Sequence, residues 1–202
     1  SFYSYAHVPW IKPGQRRFTE LDLPVGEEKL ALYNLGKSLI QKAGYEDVGM
    51  DHFAKKEDAL FIANANGTLH RNFMGYADQY TPLMIGLGVS SISDAWTAFG
   101  QNVKTVEEYH QCINEGRLPV FKGHLLDEED VIIRQYILDM MCRGVVNLIP
   151  NNELNTRILE RLKSLEKDGL IIVNELNISI TVVGKSFLRN VCMAFDERLQ
   201  RT

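Results

Sequence analysis

Three short stretches bring together residues that could do chemistry. Tyr5-Ala-His-Val-Pro9 sets an imidazole, His7, where an alternating aromatic stretch runs into a turn. Gly49-Met-Asp-His-Phe-Ala54 delivers a carboxylate and an imidazole, Asp51 and His52, directly after an apolar segment. An aspartate near a histidine can tune its basicity and tautomer, although neighbours along a strand face opposite sides and need not touch. Leu69-His-Arg-Asn-Phe-Met-Gly-Tyr76 offers Arg71, whose planar fork suits a carboxylate, beside Phe73 and Met74 as apolar lining. Each stretch also has a plainer reading: a histidine closing a loop, a structural Asp–His pair, and a surface loop with one buried Phe. A fourth stretch, Gly86-Leu-Gly-Val-Ser-Ser-Ile-Ser93, is glycine-rich but lacks the Gly-Lys-Ser/Thr ending of a P-loop, so a phosphate cradle is rejected.

The elements that must position these groups follow from pattern. Residues 2–8 alternate as a strand, and Pro9, Pro13 and Gly14 break the chain into a loop. The next helix carries Leu30, Tyr33, Leu35, Leu39 and Ile40 at near-helical spacing, with Glu27 and Glu28 in its first turn and Gly44 after its end. A strand over 45–50 completes a βαβ unit, which implies parallel pairing. A short helix ends near Asn66-Gly67, residues 69–80 read as loop, and residues 81–93 read as a buried strand with close backbone approaches. A helix follows over 105–116, capped by Thr105 and stopped by Gly116. The character changes near residue 125. Asp127 caps a helix with Ile133, Tyr136, Ile137, Met140 and Met141 on one face. A second helix turns Leu154, Ile158, Leu162 and Leu165 inward, a hairpin turns at 174–177, and a last helix closes the chain. The expected fold class is α/β, with residues 1–124 as α/β structure and 125–202 as a mainly helical, winged-helix-like domain.

Composition narrows the function classes. The chain has 202 residues, 45% of them hydrophobic, and a formal charge of −4, so nothing advertises general attraction to nucleic acid or anionic lipid. The tail from 127 to 202 holds ten basic and twelve acidic residues, which argues against a nucleic-acid-binding wing. No apolar run is long enough to span a membrane. Cys112, Cys142 and Cys192 are odd in number and far apart, so neither a disulfide framework nor a cysteine-ligated metal site is expected, and the cytoplasm is the expected location. The chain starts without Met inside a strand-like stretch, and so reads as part of a longer protein.

Taken in order, "YAHVP", "QRR", "GMDHFA", "LHRNFMGY", "GLGVSSIS" and the terminal "RNVCMAFD" resemble the oxygen-independent coproporphyrinogen III oxidase family of radical S-adenosylmethionine (radical SAM) enzymes, in its C-terminal portion. The resemblance covers nearly the whole chain. It implies the C-terminal part of a partial TIM-like barrel, followed by the helical domain. It implies an oxidoreductase in which a 4Fe-4S cluster on an N-terminal CxxxCxxC motif reduces SAM. The resulting 5′-deoxyadenosyl radical starts oxidative decarboxylation of two propionates of coproporphyrinogen III to vinyls, giving protoporphyrinogen IX. It further implies two SAM molecules per enzyme, an electron donor, a monomer, and no nucleic-acid or membrane partner.

Carried over residue by residue, the resemblance places Ala6 and Ile92 at SAM sites and makes Phe73 and its neighbour important for activity. The neighbour is usually Gln and here is Met74, whose thioether cannot donate an amide hydrogen bond. Where the family commonly has paired arginines, this chain keeps only Arg134. Arg71 and His52 are the expected substrate contacts, with Arg16 or Arg17 as further cations. The cluster motif itself is absent from these residues, so the chain alone is expected to be catalytically silent. The competing expectation is a related haem-trafficking protein using His7, His52, His70 or His124 as an axial ligand.

Overall fold

Glu27 and Glu28 near the start and Lys42 near the end suit the helix dipole of α1 (Gly26–Lys42), the first helix of the chain. The computed structural model describes residues 1–199. These form two compact units, one ending at Ile62 and the other starting at Ala63.

In the first unit, α1 is followed by β1 (Glu46–Gly49) and β2 (His52–Ala54), and α2 (Ala59–Ala65) runs over the boundary. Two expectations are corrected here. Residues 2–8 form no strand. Their polar groups are taken up locally, with Gln15 accepting from the Val8 amide at 2.6 Å and donating to the Ala6 carbonyl at 3.1 Å. Phe2 alone donates to the turn ahead of β2, to the Asp51 carbonyl. Nor does a parallel βαβ unit form: β1 folds straight back onto β2 as an antiparallel hairpin, with Gly49 opposite His52. Met50 and Asp51 both take positive φ, 38° and 66°, the conformation a two-residue hairpin turn demands. The half-buried face of α1 is Tyr33, Gly36, Lys37 and Ile40, while Leu30, Leu35 and Leu39 are exposed. Lys37 reaches Asp47 of β1 at 2.6 Å, which explains why a lysine faces inward.

In the second unit, β3 (His70–Asn72) and β4 (Gly75–Ala77) make a hairpin where loop was expected, turning at Phe73 and Met74. The strand expected over 81–93 shrinks to β5 (Ile92–Asp94), joined by a lone bridge between Met84 and Asp94. Gly88 and Ser90 sit at φ 92° and 60° and break the extended run between them. The anticipated close approach is real: a Cβ on Gly86 would lie 2.8 Å from the Ile92 carbonyl oxygen. β5, β6 (Ala98–Asn102) and β7 (Val120–Leu125) form an antiparallel sheet in that order, with α3 (Val106–Asn114) between β6 and β7 in sequence and capped by Thr105 as expected.

From Asp127 the chain runs α4 (Glu128–Arg143), β8 (Val145–Asn147), α5 (Leu154–Lys167), β9 (Ile171–Asn174), β10 (Asn177–Ile180) and α6 (Leu188–Met193). The Asp127 side chain accepts from the Asp130 amide, and Gly144 ends α4 at φ 69°. The three strands pair in the order β8-β10-β9, so the expected hairpin gains a third strand. Ile133, Tyr136 and Met140 of α4 are buried, as are Ile158 and Leu162 of α5, Val146, Ile171, Ile178, Val191 and Phe195, and the Tyr136 ring meets that of Phe195 edge-on. Ile137 and Met141, from the same predicted apolar face, stay half-buried. They face a cavity instead.

Candidate functional site

That cavity lies wholly in the second unit and measures about 430 Å³. Its apolar wall is Phe73, Phe99, Ile133, Ile137 and Met141, and its polar groups come from Arg71, His124, Asp130, Arg134 and Glu197. The Phe73 ring stands edge-on against Phe99, with centroids 5.0 Å apart. Phe99 is held in turn by Arg134, whose guanidinium lies 4.9 Å from its ring centre and 4.3 Å from that of Trp96. Arg134 also donates to Asp94 at 2.6 Å and to the Trp96 carbonyl at 2.7 Å. Arg134 therefore ties α4 to the β5–β6 hairpin and sets the aromatic floor.

The carboxylates in this wall are already engaged. Asp130 accepts two bonds from Arg198, at 2.9 and 2.6 Å, and these hold its carboxyl below the ordinary range. Burial pushes Glu197 up, but Arg161 at 2.7 Å and Arg157 at 3.4 Å outweigh it and leave it lowered. Arg71 is different. Its guanidinium stacks on Tyr76 at 4.7 Å, and its Nη1 is buried without a hydrogen-bond partner among the described residues. Buried polar atoms are nearly always satisfied, so this unpaired guanidinium nitrogen stands out in the cavity wall. Nearby, burial pushes the Cys142 and Cys192 thiols up to about 11 and about 12. Among the described residues, no group of three or more His, Cys, Asp or Glu side chains is placed to hold a metal ion.

The predicted site residues fall into both units. Phe73, Met74, Arg71 and Ile92 are in the second. Met74 is 86% exposed at the hairpin tip, where its amide donates to Asn72 Oδ1 at 2.9 Å. Ile92 starts β5 opposite Gln101 and packs on Gly86. Asn102, buried, fixes that region by donating to the Gly86 and Gly88 carbonyls at 3.0 and 2.9 Å. Ala6 and His52 are in the first unit. Ala6 presents its carbonyl to Gln15. His52 lies with Nδ1 2.8 Å from the Met50 carbonyl and Nε2 3.3 Å from the Tyr3 hydroxyl. Asp51 bonds Tyr33, whose hydroxyl is pushed up to about 12 by burial and then by that carboxylate. Arg16 donates to the Pro9 carbonyl at 2.9 Å, and Arg17 is exposed. Sequence reasoning missed Phe99, Asp94 and Asn102, since a lone aromatic or polar residue in a short strand carries no spacing signal.

No family model matches the chain. Among curated proteins it is 34% identical to oxygen-independent coproporphyrinogen III oxidase of Escherichia coli K12, over 100% of this chain and 46% of that one. The enzyme of the same name from Synechocystis is 35% identical over 98% of the chain and 45% of its own length. Among solved structures, the chain matches coproporphyrinogen III oxidase (HemN) from Escherichia coli, described as a radical SAM enzyme, with a TM-score of 0.86 and 34% identity. That match covers 96% of this chain and 46% of the other. The chain thus spans about half the length of the curated relatives it matches. Over its whole length it is a homologue of one part of the oxygen-independent coproporphyrinogen III oxidases.

Proposed function

We propose that this chain is the C-terminal part of an oxygen-independent coproporphyrinogen III oxidase that converts two propionates of coproporphyrinogen III to vinyls. The observation that carries the reading is the homology along the entire chain, with its matching structure. The cavity adds chemical support: an apolar, aromatic floor with one uncompensated cation suits a flat ligand bearing carboxylates. In the whole protein, SAM and a 4Fe-4S cluster held by residues outside this chain supply the hydrogen-abstracting radical. Residues 1–124 contribute the last part of a partial barrel, and 125–202 form the helical, winged-helix-like domain beside it. Ala6 and Ile92 line SAM, and Phe73 and Met74 border the reacting groups. Arg71 binds a substrate carboxylate, and His52 is a second substrate contact. The protein acts as a cytoplasmic monomer with an electron donor; no helix among the described residues is long and apolar enough to cross a membrane.

The test is anaerobic reconstitution of the full-length protein, assayed for protoporphyrinogen IX formation with SAM and a reductant, beside residues 1–202 alone. Turnover by the full-length protein and none by the 202 residues is the expected pair of results. Cleavage of SAM with no decarboxylation, together with tight haem binding and a Soret shift, would overturn the reading in favour of haem trafficking.

A further inference from the structure

We infer that residues 83–87 form a docking edge for the part of the parent polypeptide that lies outside these 202 residues. The inference rests on the reading above that the chain is one part of a longer protein. The segment reads Leu-Met-Ile-Gly-Leu, with no polar side chain to turn toward water. Its residues alternate in the structure. Met84 and Gly86 are half-buried, whereas Leu83 is 54%, Ile85 67% and Leu87 81% exposed. An extended segment with one face in water normally turns polar residues outward, and one that is apolar on both faces belongs between two layers. Contiguous exposed apolar side chains of this kind mark an interaction surface.

The backbone is one-sided in the same way. Met84 exchanges two bonds with Asp94 of β5, at 2.8 and 2.9 Å. The Gly86 amide donates to the Ser93 hydroxyl at 3.0 Å, and the Gly88 amide to the Tyr109 hydroxyl at 3.1 Å. With Asn102 on the Gly86 and Gly88 carbonyls, the inner edge is fully built and the segment is no frayed loop. The amides of Leu83, Ile85 and Leu87 alternate with these and have no hydrogen-bond partner among the described residues. Successive amides of extended backbone serve opposite edges, so these three line an open edge, a template for one more strand. The Escherichia coli relative is matched over 46% of its length, so more than half of that protein lies outside the match. A tethered segment sits at an effective concentration on the order of millimolar, which outcompetes a second free copy. The rest of the same polypeptide is therefore the occupant.

The test is maleimide labelling of the native full-length protein carrying L87C, without added SAM or substrate, read peptide by peptide by mass spectrometry. V182C is the reference, since Val182 is 86% exposed in this chain. L87C is expected to label at least about tenfold more slowly than V182C, because the site must open before it reacts. In urea the two are expected to label alike. L83C repeats the measurement at the other end of the segment and keeps it readable if L87C does not fold. Labelling of both cysteines as fast as V182C overturns the inference. Protection that fades on dilution assigns the edge to a second copy and overturns it too. Reactive cysteines in a protein that forms protoporphyrinogen IX sink the docking edge and leave the proposed function standing. Protected cysteines in a full-length protein that forms none sink the proposed function and keep the docking edge.

Discussion

Replacing Asp94 by Ala is expected to cost this protein more stability than removal of its exposed ion pairs. Asp94 is 7% exposed and its partner Arg134 has a side chain only 14% exposed, so the pair at 2.6 Å is buried. Deleting the carboxylate strands a guanidinium in a low-dielectric wall, which costs about 3–5 kcal/mol. It also removes the acceptor for the Trp96 amide, at 2.9 Å, a bond worth about 1 kcal/mol. Trp96 sits at φ 62°, so that turn loses its tie at a position with little intrinsic support. A total near 5 kcal/mol corresponds to a fall in Tm of about 10–20 °C for a unit of this size. The assay is urea unfolding followed by circular dichroism, comparing D94A, D94N, R134M and the double variant D94A/R134M. D94N keeps an acceptor for Trp96 and loses about half as much. The double variant is expected to be more stable than D94A, because no uncompensated charge remains in it. If instead the double variant loses the full sum of the two single costs, the stranded-charge reasoning is refuted.

Two other outcomes follow from the same unit. Gly184→Ala would drive a Cβ to within 1.9 Å of the Leu170 carbonyl oxygen, so the turn before α6 must shift; a loss of about 3 kcal/mol in chemical denaturation is expected, and a loss under about 1 kcal/mol would show that the backbone there yields freely. His70 has its basicity lowered by burial and then by Arg134. The unfolded chain therefore takes up a proton that the folded chain resists as pH falls below about 6.5, and stability drops through that window and flattens once the folded-state value is passed. H70F should flatten the dependence of Tm on pH between about 7 and 5, and an unaltered slope would remove His70 as its source.

The helices of the C-terminal stretch were plain in the sequence. The Asp127 cap, the acids after it and the Gly144 stop bound α4, and the 3.6 period names its buried face, because capping and amphipathicity are local and repeat over many residues. The motifs "GMDHFA" and "LHRNFMGY" were likewise visible as clusters of chemistry, and the family resemblance they carry is matched by the homologues along the whole chain. What local pattern could not decide was pairing. Residues 2–8 alternate like a strand, yet alternation supplies no hydrogen-bond partner, and Gln15 takes over their polar groups instead. Asp51 and His52 look like a working pair, but the hairpin turn sends one to Tyr33 and the other to Met50 and Tyr3. Phe73, Phe99 and Arg134 lie in three distant segments, so only the antiparallel sheet and the docking of α4 bring them to one cavity. The sequence by itself determined the helices, the caps and the kinship, since each is written in neighbouring residues or in order along the chain. Tertiary structure alone decided which cation of the cavity wall is left without a carboxylate among the described residues, because neutralisation depends on contacts between residues far apart in sequence, such as Arg134 with Asp94 and Arg198 with Asp130.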